Sequence, residues 1–345
     1  MALVSRRTLA AVALAAAGAA APLAAQNAPT PPSVSLGGVV YAQWMAQLDS
    51  LSPANDFDIT RAYVNATGKF GGGISTRVTL DIYRNTDGSL ADRLKYAYFA
   101  WTPNQSPFTF RFGQTQTPWI DWEEALWDYR MQGTVAVDRN GYMSSSDFGL
   151  AFDGNFNSDQ FNFQAMAMNG ENYNKTPGDQ HKDFAARASY RLLATDDGSR
   201  VGGLRLTGYA QAGTPTSGGT RNRFIGMVSY RSKMLTLAGE FVSTTDTVTN
   251  PVTTKRTGNI ISAFGVLHLP ASPVSVIARL DLVDPNTASA AVNDKRTTII
   301  GGVSYQLTPN VRLLADIDRL SFQTPTGGTA PKAITQALFQ TQFTY

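Results

Sequence analysis

From Val34 onward the chain is a succession of segments in which apolar and polar residues alternate with a period of two. In GGISTRVTLDIY (72–83), Ile74, Thr76, Val78, Leu80 and Ile82 share one face, and Ser75, Arg77, Thr79, Asp81 and Tyr83 share the other. In VSVIARLDLV (274–283), Val274, Val276, Ala278, Leu280 and Leu282 oppose Ser275, Ile277, Arg279, Asp281 and Val283. PFTFRFGQ (107–114) and SDFGLAFDGNF (146–156) read the same way, and helical spacing fits none of them. Past the N-terminal region no apolar run approaches the roughly 18 residues of a transmembrane helix. Charged residues are only 16% of the chain, against the roughly 25% usual in soluble domains. A chain of alternating strands that enters a membrane must close into a barrel, because only closure pairs every backbone group in hydrocarbon.

The connections between segments alternate in length. Short ones are KFGGG (69–73), TPNQSP (102–107), NSD (157–159), RSK (231–233), LPASP (269–273) and LTPN (307–310). Long ones are LDSLSPAND (48–56), the stretch 117–145, NGENYNKTPGDQHK (169–182), TTDTVTNPVTTKR (244–256), DPNTASAAVNDK (284–295) and QTPTGGTAPK (323–332). Two are irregular: 194–203 is long where a short turn is due, and 84–91 is only moderately long. The segments number sixteen, and about 9–11 residues suffice for a tilted membrane strand. The reading is an all-β, transmembrane antiparallel β-barrel of sixteen strands, with fourteen and eighteen also compatible with the length. Short turns belong to the periplasmic side and long loops to the extracellular side.

The first 26 residues combine Arg6 and Arg7, an Ala- and Leu-rich run and a small-residue end, the pattern of an export signal. Residues 27–33 form a Pro-rich linker, and 34–345 a single barrel domain with 117–145 as its third outer loop. Removing the signal's two arginines from 29 basic residues leaves 27 against 26 acidic ones, so the balance gives no footprint for nucleic acid. There is no cysteine, hence no disulfide or thiolate metal site. The closing FQTQFTY places Phe339, Thr341, Phe343 and Tyr345 on one face of a last strand, as lipid contact would ask.

Four motifs in order resemble the phosphate-selective porins, the O and P porin family. FDITRAYVNATGKFGGG holds Arg61 and the glycine turn at Gly68–Gly71; DRLKYAYFAWTP holds Leu94–Tyr98; FTFRFGQTQTPW holds Arg111–Pro118; and SSDFGLAFDG holds Asp147–Leu150. The resemblance covers roughly residues 55–155. It implies a sixteen-stranded outer-membrane channel, trimeric, with the third loop folded inward to narrow the pore. Barrels of this class end on an aromatic read by the barrel assembly machinery, a role that falls here on Phe339, Phe343 and Tyr345.

If the apolar faces meet outer-membrane lipid, the opposite faces line water. The basic candidates there are Arg61, Arg77, Arg111, Arg187, Arg191, Arg205, Arg223, Arg231, Arg279 and Arg312, with Lys69 and Lys95; the acidic ones are Asp81, Asp153, Glu240, Asp281, Asp316 and Asp318. Twelve against six points to a positive lumen that admits small anionic or polar solutes. The third loop runs the other way, with Asp121, Glu123, Glu124, Asp128 and Asp138 against Arg130 and Arg139, a sign that opposes phosphate. RAYVNATGK and KYAYFAW carry apolar residues on both parities, which leaves the facing of Arg61 and Lys95 open. The main expectation is a passive channel without cofactor or metal and without enzymatic activity. Two other classes stay open: a structural or adhesive barrel with a plugged pore, and an outer-membrane lipase using His181 or His268.

Overall fold

The computed structural model describes residues 31–49, 53–175, 178–216, 218–249, 253–287, 294–324, 328–329 and 331–345. The expected export signal (1–26) and residues 27–30 of the linker lie outside the described residues. Sixteen antiparallel strands close into one barrel in chain order. The first half comprises β1 (Ser33–Gln47), β2 (Asn55–Phe70), β3 (Ile74–Arg84), β4 (Leu90–Trp101), β5 (Phe108–Gln116), β6 (Ser146–Phe156), β7 (Phe161–Met168) and β8 (Asp183–Leu193). The second comprises β9 (Gly203–Gly213), β10 (Thr220–Arg231), β11 (Leu235–Thr249), β12 (Thr253–His268), β13 (Val274–Asp284), β14 (Arg296–Thr308), β15 (Val311–Phe322) and β16 (Ile334–Thr344). β1 pairs with β2 on one side and β16 on the other, with Val40 opposite Phe343 and Trp44 opposite Phe339. That seam removes the unpaired edge an open sheet would present.

The distribution of side chains is inverted relative to a soluble domain. Leu206, Phe224, Val228, Phe241, Leu280 and Ile299 stand on the outer surface, while Asp81, Arg187, Arg205, Arg279 and Asp281 are buried within. Phe339, Phe343 and Tyr345 are on the outer surface as well, whereas Gln340 between them points inward. The turn after β2 is a single 3-10 turn, Gly71–Gly73. Gly73 has φ +79°, and a Cβ there would sit 1.9 Å from the Thr102 carbonyl, so the position excludes every other residue.

Of the four register shifts among the described strands, two lie at or beside segments whose sequence pattern is ambiguous. Tyr41 pairs with Arg61 but Ala42 with Ile59, leaving Thr60 as the extra residue. Thr79 pairs with Tyr96 but Leu80 with Leu94, leaving Lys95 extra. A bulge shifts the parity by one, so Lys95 and Tyr96 are consecutive and both buried. The carbonyl of Lys95, displaced from the ladder, accepts from Gln114 Nε2 at 3.0 Å and Ser146 Oγ at 2.7 Å. The R-x-G-Q motif thereby acquires a physical role. Gly113 (φ +124°) is required where a Cβ would lie 2.3 Å from the Ala97 carbonyl, and Gln114 caps the bulge.

One connection differs from the sequence expectation, and another is long as the sequence reads. The segment 244–256, expected as a long loop, is mostly strand: β11 continues to Thr249 and β12 begins at Thr253, with Thr247 opposite Lys255. Thr-rich polar alternation extends a hairpin above the apolar belt as readily as it forms a loop. The connection 194–202 folds back over the short-turn mouth, with Val201 buried and Arg231 Nε bound to Asp197 at 2.8 Å. Burial there would raise the Asp197 carboxyl, but hydrogen bonds from Ser199 and Arg231 hold it below the usual carboxylate range.

Outward Leu280 and inward Arg279 give a direct test of facing. Leu280→Arg is expected to lower stability in detergent or lipid by about 2–4 kcal/mol, measured from urea unfolding midpoints. Leu280→Phe should stay within about 0.5 kcal/mol.

Candidate functional site

The third long connection turns inward rather than out. It carries α1 (Ile120–Trp127) and a short turn of helix, α2 (Ala136–Arg139). Eight residues are too few for a helix to persist alone, so α1 depends on the wall. Trp119, Ile120, Leu126 and Trp127 are fully buried. Trp119 packs on Tyr209 at 5.8 Å and Trp127 on Phe264 at 5.3 Å, and Tyr129 OH meets Ser304 Oγ at 2.6 Å. At the base of the loop, Thr117 Oγ1 donates to the Ser144 carbonyl at 2.5 Å. Asp147 accepts from the backbone of Gly170 and Asn172, which ties the next outer loop to the D-F-G-L segment.

Much of the arginine inventory is committed to holding this loop. Arg231 donates to the Ala125 carbonyl at 2.6 Å, Arg312 to Asp128 at 2.7 Å, Arg279 to Thr134 at 2.8 Å and Arg223 to Tyr142 at 3.1 Å. Arg187 lies 4.1 Å over the Trp122 ring. Arg205 and Arg191 instead donate to carbonyls of the short-turn mouth, at Gly202 and Ser158. Arg61 pairs with Asp81 and Arg111 with Asp153 across neighbouring strands, while Arg77 bonds Asn65 and Thr79 with no carboxylate. Lys69 is exposed at the short-turn end of β2.

Most of the loop's own charges are spoken for. Asp121 pairs with Arg200 at 2.7 Å, Glu124 with Arg130 at 3.0 Å, Asp128 with Arg312 at 3.3 Å, and Arg139 reaches Asp318 at 2.7 Å. Glu123 is buried, accepts from Trp119 Nε1 at 2.8 Å and faces Glu240 of β11. Burial pushes its carboxyl well above the usual range, which favours a neutral acid beside the second one.

The loop packs directly on the wall from β9 round to β16, whereas cavities separate parts of it from β1–β5. Three levels follow down that side. Arg61 and Arg93 share Asp81 beneath Tyr83 and Tyr173. Next is a cavity of about 330 Å³ between α1 and the wall, lined by Tyr41, Tyr63, Arg77, Lys95 and Tyr96 on one side and Asp121, Glu124, Asp128 and Arg130 on the other. Below it a second cavity of about 380 Å³ is lined by Tyr98, Arg111, Asn162, Gln164, Arg187 and Arg200. Arg93, Arg200 and the three tyrosines of the middle level escaped the sequence reading. Arg200 sits in an irregular turn, and inward tyrosines mimic an apolar face.

The histidines are apart from this path. His181 is near Asp179 in an outer connection. His268 Nδ1 and Ser275 Oγ are 2.7 Å apart on the inner wall at the short-turn end. Among the described residues no carboxylate hydrogen-bonds His268, so the orienting third member of a hydrolytic triad is missing.

Because Arg200 holds both the carbonyl and the carboxylate of Asp121 at 2.7 Å, its removal should loosen the N-terminal end of α1. Arg200→Ala is expected to cost about 1.5–3 kcal/mol and to increase open-channel current noise, while a substitution at exposed Lys182 leaves both unchanged.

The family model described as phosphate-selective porin O and P matches residues 46–260, well over half of the chain. No curated protein matches. Among solved structures, the anion-selective porin of Comamonas acidovorans superposes with a TM-score of 0.67 at 12% identity, covering 91% of this chain and 100% of that one. OmpF of Salmonella typhi gives 0.65 at 12% identity, covering 90% and 97%. OmpT of Vibrio cholerae, in its trimer form, gives 0.63 at 13% identity, covering 92% and 100%.

Proposed function

Since the chain belongs to the phosphate-selective porin O and P family, we propose that it works in the bacterial outer membrane as a passive channel favouring small anions. The observation that carries this reading is the descent of cationic groups along the side where cavities separate the loop from the wall. Arg61 and Arg93 stand at the first level, Lys95 and Arg77 at the second, Arg111 and Arg187 at the third. A solute moving down this path exchanges one set of N–H donors for the next, and no single site holds it too tightly to leave. Arginine's planar fork suits phosphate and carboxylate oxygens alike. The gradient alone supplies the driving force, and no step calls for a cofactor. The trimer form of the Vibrio cholerae structure supports a homotrimer here too. Phe339, Phe343 and Tyr345 on the outer face fit contact with lipid and reading by the assembly machinery.

The test is the reversal potential of the refolded protein in a planar bilayer under a potassium chloride gradient. The expected sign is that of chloride permeation, and Lys95→Glu should lower the chloride-to-potassium permeability ratio at least about threefold. A cation-selective wild-type channel would reject the anion reading. Properly inserted protein without conductance would favour a plugged structural barrel.

A further inference from the structure

Resting on that reading, the middle cavity narrows the class of anion. We propose that it is a subsite for a monocarboxylate carrying a flat ring. The bulge in β4 brings a cation and a ring in from consecutive positions, Lys95 and Tyr96. Lys95 is 5% exposed, and its one hydrogen-bond partner among the described residues is the Tyr63 hydroxyl at 3.0 Å. Its ammonium therefore keeps two N–H donors unspent. Arg77, 4.6 Å over the Tyr96 ring, donates from Nε and Nη2 and leaves Nη1 free. Among the described residues neither cation has a carboxylate within 4.0 Å.

A buried charge without a counter-ion is costly, and the cavity's own acids do not supply one. Asp121, Glu124 and Asp128 are taken by Arg200, Arg130 and Arg312. With those three acids paired, Lys95 and Arg77 are the cations left in the lining, and the two oxygens of one carboxylate can accept from both.

The remainder of the lining argues for a ring. Tyr41 meets Tyr63 edge to face at 6.3 Å, and Tyr96 stands beside the bulge. Val39 and Ala125 add apolar surface to the lining. At about 330 Å³ the space is at the lower end of small-ligand pockets, roughly 300–1,000 Å³. A planar aromatic acid places its carboxylate between Lys95 and Arg77 and its ring among phenols, where edge-on contact is favourable.

The experiment compares block of the chloride current in the wild-type bilayer channel by sodium benzoate, acetate and phosphate. Benzoate is expected to reach half-block at about one tenth of the acetate concentration, and below phosphate. Tyr96→Leu should raise the benzoate value about fivefold and leave acetate unchanged, whereas Lys95→Gln raises both. An anion-conducting channel in which benzoate blocks no better than acetate overturns the subsite and leaves the porin reading intact. Phosphate blocking more tightly than benzoate overturns it in favour of a simple oxyanion site. A cation-selective channel removes the anion reading and this proposal with it.

Discussion

In hydrocarbon an unpaired backbone N–H or C=O has no water to turn to, and each such group costs several kcal/mol. Closure of β1 against β16 is therefore the condition on which everything else rests. It fixes which face of every strand meets lipid, and the period of two then delivers charged residues to the interior. Beside apolar inward residues such as Val242, Ile260, Ile277 and Leu314, many inward positions carry Arg, Asp, Glu, Gln and Thr that need partners of their own. A loop folded into the barrel supplies them. Its backbone carbonyls accept from Arg200, Arg223, Arg231, Arg279 and Arg312, and its tryptophans join the apolar inner wall in one buried cluster.

This division of labour changes what a row of inward arginines means. On the β9–β16 side they are structural clamps, engaged with carbonyls and with Asp197, Asp246 and Asp281. Arg77 and Lys95 on the β1–β5 side instead line a cavity between loop and wall, with no carboxylate partner among the described residues. The same residue type on the same inward parity thus serves two ends. The difference is set by where one loop lies, which is a property of the closed barrel rather than of any strand.

The strand pattern was legible wherever Leu, Val, Ile and Phe alone occupy the outer face, as in 274–283 and 72–83. It failed to resolve RAYVNATGK and KYAYFAW for a definite reason. Thr60, just before the first, and Lys95, at the start of the second, are bulge residues where the period slips by one, and Tyr63 and Tyr96 point inward while looking apolar. The length of the 244–256 hairpin was hidden because threonine suits strand and loop alike. The clamping of the third loop left no trace in the sequence, since a backbone carbonyl accepts from an arginine whatever side chain it carries. Arg200 illustrates the limit: it comes from the one short-side connection that broke the rhythm, and it reaches Asp121 across the barrel.

The third loop's acidity raises the sharpest question about selectivity, since five acids against two arginines ought to repel an anion. The pairing removes most of that effect. A unit charge 4 Å from a solute contributes about 4 kcal/mol at an effective dielectric near 20, whereas a carboxylate with a guanidinium at about 3 Å presents only a dipole, whose field falls off much faster. Asp121, Glu124 and Asp128 are all in that state, and Glu123 is buried beside Glu240 out of the path. Lys95 and Arg77 are not so neutralised, and they line the same cavity as those paired acids. On the channel reading proposed above, the sign that a passing ion meets there is set by these two cations rather than by a loop that looks acidic in sequence.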